Sequence, residues 1–197
     1  MEIGIIGTGD VGRALARGFS DAGHEIVLGS RTPARTTAAF DVMAHQETVL
    51  GSDLVVLAVP AAAATDLATS LSDALAGTTI VDPTNEYPNA TADRSVAERI
   101  AAAAPDARVV KAFNTIGANR LDDPVIDGQP VSMFVAGDDP DARDTVAGLA
   151  DDVGFAPVIA GGLPAADHLE NLARFWIDLS TEFGRDVGFQ LRGLDTR

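Results

Sequence analysis

The chain has 197 residues, a formal net charge of −15 and no cysteine. Disulfides, thiolate nucleophiles and cysteine-held metals are excluded, and three scattered His residues make no metal site. The acidity argues against nucleic acid, whose phosphates need a basic surface, and abundant Asp with Lys111 as sole lysine suggests a halophilic surface tuned for salt. No stretch is apolar for long enough to span a bilayer. A first strand starting at Glu2 leaves no room for a signal peptide, so a cytoplasmic protein without membrane contact is expected.

In chain order, residues 2–6 (EIGII) read as a short buried strand running straight into a glycine turn. Val11, Leu15, Ala16 and Phe19 recur at helical spacing, which predicts a helix from near Asp10 to near Gly23. HEIVLG is a second strand, Pro33 suits the first turn of a short helix, and the segment on to Val49 shows no clear period. DLVVLAVP (53–60) is a continuous apolar run stopped by Pro60, as expected of a central parallel strand. An Ala-rich helix over 61–75, a strand over 78–83, a helix over 92–104 and a strand over 107–114 follow. Next come a strand over 131–138, a helix over 140–152 and a last strand over 156–161. From Ala165 the chain reads as helical to its end, with Leu169, Leu172, Trp176, Leu179, Phe183 and Val187 on one face.

Strands alternating with helices predict an α/β fold: a doubly wound, mostly parallel Rossmann-type sheet with a small C-terminal helical part. A soft boundary near residue 138 separates an expected dinucleotide-binding domain (1–138) from a small C-terminal α/β segment (139–197).

The turn after the first strand is Gly7-Thr8-Gly9-Asp10-Val11-Gly12. Gly7 permits a tight turn, Gly9 lets the backbone approach a pyrophosphate, and Gly12 permits close helix–strand packing. The following helix N-terminus offers unpaired N–H groups and a positive dipole end to phosphates. Asp10 beside a pyrophosphate is repulsive, so its side chain is expected to point aside and serve the first helical turn.

Such a turn normally predicts a carboxylate about 20 residues further on, to hold the ribose 2′-hydroxyl of NAD. Here LGSRTP stands at that place, offering Ser30 and Arg31, with Arg35 one helical turn further on. Hydroxyl and guanidinium donors suit a 2′-phosphate, which a carboxylate would repel, so NADP(H) is expected rather than NAD(H).

GTGDVG, LGSRTP, VVLAVP and VVKAFNTIGA together resemble the family of F420-dependent NADP oxidoreductases. The same segments are similar to the cytosolic reductase domain of the STEAP metalloreductases. The resemblance runs along most of the chain. It implies a Rossmann domain holding NADP(H), a smaller C-terminal part, and coenzyme F420 or another acceptor beside the nicotinamide. By this resemblance Thr8 to Val11 carry the phosphate turn, and Ser30, Arg31 and Arg35 match the 2′-phosphate site. Ala58, Val59 and Pro60 would border the cofactor. The chain departs from the family where Asn114 replaces a customary His, and in a shorter segment ahead of the AVP strand.

Asn114 and Thr115 follow a strand at the sheet edge where such folds bind ligands. They either hydrogen-bond a carboxamide or an acceptor carbonyl, or satisfy their own turn. Asn85 reads as a loop cap, His24 as a surface residue and Lys111 as an ordinary strand residue. His45 falls in the unread segment, and His168, opening the last helix, either faces the acceptor or lies on the surface. Hydride transfer needs no nucleophile from the protein, so no catalytic residue is expected. The leading expectation is an NADP(H)-dependent oxidoreductase exchanging hydride with coenzyme F420. The alternatives are reduction of a flavin, ferric chelate or imine, or a non-catalytic NADP(H) sensor. The apolar face of the last helix either packs on its own domain or forms a two-fold contact, and a homodimer is expected.

Overall fold

A computed structural model describes residues 1–35, 39–88 and 92–193. Its six leading strands are β1 (Glu2–Ile6), β2 (Glu25–Gly29), β3 (Asp41–Met43), β4 (Leu54–Leu57), β5 (Thr79–Asp82) and β6 (Arg108–Lys111). They lie side by side in the order β3-β2-β1-β4-β5-β6, all parallel. This is the Rossmann order, with its switch point between β1 and β4. Beyond a small hairpin, β7 (Val125–Ile126) and β8 (Gln129–Pro130), the chain re-enters the sheet as β9 (Ser132–Gly137), antiparallel to β6. The last strand, β10 (Ala156–Gly161), pairs with β9 in parallel. The eight-stranded sheet therefore runs on across residue 138.

On one face, α1 (Asp10–Asp21) and α6 (Pro140–Val153) cover a core in which Phe113 meets Phe19 and Phe155 edge to face, at 5.5 and 5.9 Å between ring centroids. Such aromatic pairs contribute about 1 kcal/mol each beyond their buried area. The other face is covered by α2 (His45–Leu50), α3 (Ala61–Ser70), α4 (Ser72–Leu75) and α5 (Val96–Ala103), around Val55, Leu57, Ile80 and Ile100. Helix boundaries follow local chemistry. Ser95 and Glu98 form a reciprocal capping box that starts α5 four residues later than the sequence reading. Asp139 caps α6, with Pro140 in its first turn.

Three departures from the sequence reading stand out. The helix expected over 61–75 breaks at Leu71, just after the Thr69 and Ser70 hydroxyls turn back onto backbone carbonyls and weaken the helical ladder. The unread segment before Val49 holds the edge strand β3 and helix α2. The terminal helix, α7 (Ala166–Phe183), stops at Gly184 (φ +85°) instead of continuing to the end. The tail then folds back: Trp176 Nε1 donates to the Val187 carbonyl, and the Ser132 amide donates to the Phe189 carbonyl. On the face expected to be apolar, Leu169 and Trp176 are buried within the chain and Phe183 is 70% exposed.

Candidate functional site

The carboxyl ends of β1, β2, β4 and β5 open on two adjoining clefts of about 700 and 370 Å³. The three glycines of the first turn differ in what they do. Gly7 has φ +126°, and a Cβ there would lie 2.0 Å from the Ala58 carbonyl oxygen, so only glycine fits. A Cβ on Gly12 would come within 2.2 Å of the Gly7 oxygen, which is how α1 presses so close to the turn. Gly9 has nothing within 4 Å of its would-be Cβ. Its φ is −78°, so glycine is not required there by a left-handed backbone; the open space in front of it is what a side chain would fill. Gly9 also N-caps α1 without any side-chain hydrogen bond, leaving the first amides of the helix facing the opening. Arg13 Nε donates to the Thr8 carbonyl at 2.7 Å and holds the turn from within.

The larger cleft runs from Gly7, Thr8 and Gly9 past Gly29 to Ser30, Arg31 and Thr32. Ser30 Oγ accepts from the Thr32 amide, and the Ser30 amide donates to Met43 on β3. These bonds shape the loop that carries the exposed Arg31. The Arg35 side chain lies outside the described residues. His45, at the start of α2, closes this end of the cleft. Burial first, and then the neighbouring Arg31 guanidinium, hold its imidazole below the usual histidine range. The far wall comes from α3, through Ala63, Asp66, Leu67 and Ser70. Periodicity cannot announce a wall of this kind, because it is the outward side of a helix whose inward side makes the core.

Ala58, Val59 and Pro60 line both clefts, as Gly9 does. The smaller one continues over Asp10, Val11 and Ala61 to Pro83, Thr84 and Asn85. Asp10 is exposed in the first turn of α1. Thr84 is buried, and its hydroxyl has no hydrogen-bond partner among the described residues. A buried donor in a cleft wall costs about 1–3 kcal/mol if left unpaired, and a polar ligand group would relieve that cost.

Asn114 and Thr115 line neither of these two clefts; both are buried, and Asn114 is bonded to Asn85. The chain reaches them through Phe113 at φ +60°, a left-handed turn costing roughly 1–2 kcal/mol, held by the aromatic contacts above. The Asn114 and Asn85 side chains are bonded to each other: Asn114 Nδ2 donates to Asn85 Oδ1, and Asn85 Nδ2 donates to the Asn114 carbonyl. Asn114 Nδ2 also donates to the Leu169 carbonyl on α7. His168 is exposed and outside both clefts.

Beneath this loop lies a cluster that the strand reading of Lys111 missed. The fully buried ammonium donates to Asp82 Oδ2 at 2.9 Å, to Glu170 Oε1 at 2.8 Å and to the Thr84 carbonyl. Asp82 Oδ1 accepts from the Thr84 amide, and Glu170 Oε1 also accepts from the Val96 amide. One cation thus fixes the floor of the smaller cleft, the start of α5 and helix α7 together.

Comparison with known proteins bears on this geometry. Residues 2–86 match the family described as NADP oxidoreductase, coenzyme F420-dependent. The F420-dependent NADP reductase of Methanothermobacter thermautotrophicus is 30% identical, over 98% of this chain and 96% of that protein. A crystal structure from Arthrobacter sp. FB24, assigned as an F420-dependent NADP reductase, superposes with a TM-score of 0.89 at 30% identity, covering 98% of this chain and 100% of that one. Metalloreductase STEAP3 of Rattus norvegicus is 35% identical over 86% of this chain, which spans only 36% of that protein's length. No helix among the described residues is long and apolar enough to cross a membrane. The glycine turn, the Ser30–Arg31 corner and these relationships lead to one conclusion: the chain belongs to the F420-dependent NADP oxidoreductase family and is an NADP-dependent oxidoreductase.

Proposed function

We propose that this oxidoreductase exchanges hydride between NADP(H) in the larger cleft and coenzyme F420 in the smaller one. The observation that carries the reading is the shared wall, Gly9 and Ala58 to Pro60, which makes the two clefts neighbours rather than separate sites. The amides of Thr8 to Val11 would meet the pyrophosphate, and Ser30 and Arg31 would hold the 2′-phosphate by charged hydrogen bonds. Ala58, Val59 and Pro60 would form a dry partition against which both rings lie, and Thr84 would give its hydroxyl to a ring carbonyl or carboxamide. Asn114, through its paired bonds to Asn85, would act as a positioning residue behind that surface. NADP(H), when bound, supplies the hydride at nicotinamide C4. For each hydride delivered with its electron pair, the acceptor takes one proton from solvent, so the protein has to align two carbons and exclude water.

A second reading replaces F420 by a flavin, or by two equivalents of a ferric chelate that take one electron each while a proton passes to solvent, and the identity shared with the metalloreductase supports it. Purified protein mixed with NADPH and each acceptor in turn, in high salt, separates the two by absorbance. Oxidation of NADPH with F420 alone is the expected result. Turnover only with flavin or ferric chelate would move the assignment to the second reading, and turnover with none would leave a binding protein.

A further inference from the structure

We propose that His45 is a second contact for the cofactor's 2′-phosphate, facing Arg31 across the end of the larger cleft, and that it links NADP(H) binding to proton uptake. The inference rests on the reading of that cleft as the NADP(H) site. Both residues line the cleft: Arg31 is carried by the loop after β2, and His45 begins α2. Nothing in the sequence joins them, since β3 and the segment before it lie between.

The cleft gives His45 a definite electrostatic setting. In the free protein, burial and the Arg31 guanidinium both disfavour the imidazolium, so the ring is neutral at neutral pH. Other ionisable groups on the elements around it are few. Asp66 of α3 lines the same cleft, Asp73 of α4 lines a separate cleft with Gln46, and Glu47 of its own helix is turned back onto the Ala44 amide. Asp41 begins β3, and Glu2 and Glu25 stand at the amino ends of β1 and β2, away from the cleft. A phosphate arriving between Arg31 and His45 brings an anion next to both. Its charge favours the imidazolium and reverses the effect of Arg31, so the ring takes up a proton and gains a charged hydrogen bond.

Titration of NADPH and NADH by fluorescence, at about pH 6 and about pH 8.5, tests this on wild type, His45→Ala, His45→Gln, His45→Lys and Arg31→Ala. His45→Ala should weaken NADPH about tenfold at the lower pH and far less at the higher, with NADH unaffected at both. His45→Lys, charged at both pH values, should bind NADPH tightly at both. The phosphate of the cofactor itself titrates near pH 6, so proton uptake is compared between wild type and His45→Gln by calorimetry in buffers of different ionisation enthalpy. Wild type should take up more protons. If Arg31→Ala loses NADPH while the His45 variants match wild type at both pH values, the histidine contact is wrong and the cofactor reading stands. If Arg31→Ala and His45→Ala both bind NADPH normally, the cleft is not the 2′-phosphate site. Equal losses of NADPH and NADH in His45→Ala also overturn the phosphate contact.

Discussion

Along β1 and β2 the crevice is walled by bare backbone and by side chains that reach into solvent, whereas beyond β5 it rests on charge sealed away from water. Gly9 opens onto empty space at the start of α1, and Arg31 stands exposed at the rim. The floor under Thr84 and Asn85 hangs instead on Lys111, Asp82 and Glu170, all buried. The difference teaches where each side stores its free energy. On the proposed nucleotide side the wall is open backbone and a solvent-facing guanidinium, so substitutions there should alter affinity and spare the fold. On the proposed acceptor side, the charges already satisfy one another, so substitutions should cost stability first.

The largest effect expected on the nucleotide side comes from Gly9→Val. The branched side chain fills the open space before α1, and NADPH binding should disappear while the thermal midpoint stays close to wild type. Retained binding in a folded Gly9→Val protein would make that glycine structural only. The largest effect expected on the acceptor side comes from Lys111→Met, which strands two buried carboxylates and should cost about 3–5 kcal/mol in denaturant unfolding. Adding Asp82→Asn and Glu170→Gln to the same chain should recover part of that loss. A single variant as stable as wild type would erase the contrast between the two sides.

Arg31→Ala comes next, weakening NADP(H) by about 2–3 kcal/mol in a binding titration with little change for NAD(H) or for unfolding. Equal losses for both cofactors would remove the 2′-phosphate assignment. The smallest effect concerns acid. His45 has its folded-state pKa depressed by burial and by Arg31, so the unfolded chain binds more protons in the window between its depressed folded value and the ordinary histidine value. The stability contributed by its neutral form is present above the ordinary value and is lost as pH falls through the window. His45→Asn should flatten that part of the stability–pH curve, and an unchanged curve would contradict the assigned environment.

The central sheet was legible because strand and helix periods alternate cleanly, and the glycine turn because Gly7 and Gly12 each meet a distinct steric demand. What escaped was of two kinds. Segments without period hid β3 and α2, and with them His45. Long-range pairing hid the charge cluster: Lys111 lies 29 residues from Asp82 and 59 from Glu170, too far apart for any local pattern to join them. Asn114 was legible only as a polar residue following a strand at the sheet edge. Its burial against Asn85 depends on the turn at Phe113, which the amino-acid type argues against. The terminal helix was read too long because its apolar period continues into Val187, although Gly184 ends it and the tail returns to Ser132.

The contact between Gly7 and the Ala58 carbonyl has a consequence for how the protein can diverge. Because glycine presents only hydrogen at the meeting point, the spacing of β1 from the partition beyond β4 is gauged by main chain against main chain. Side chains lining either cleft can then be exchanged over generations without altering that spacing. If the smaller cleft takes the acceptor as proposed, a lineage could trade one acceptor for another by rewriting Pro83 to Asn85 while the partition between the clefts stays in register with the glycine turn. Hydride transfer tolerates little error in donor–acceptor distance, and a 1 Å misplacement can cost about a hundredfold in rate. A gauge that contains no variable side chain is one way for a family to keep its distance while changing its chemistry.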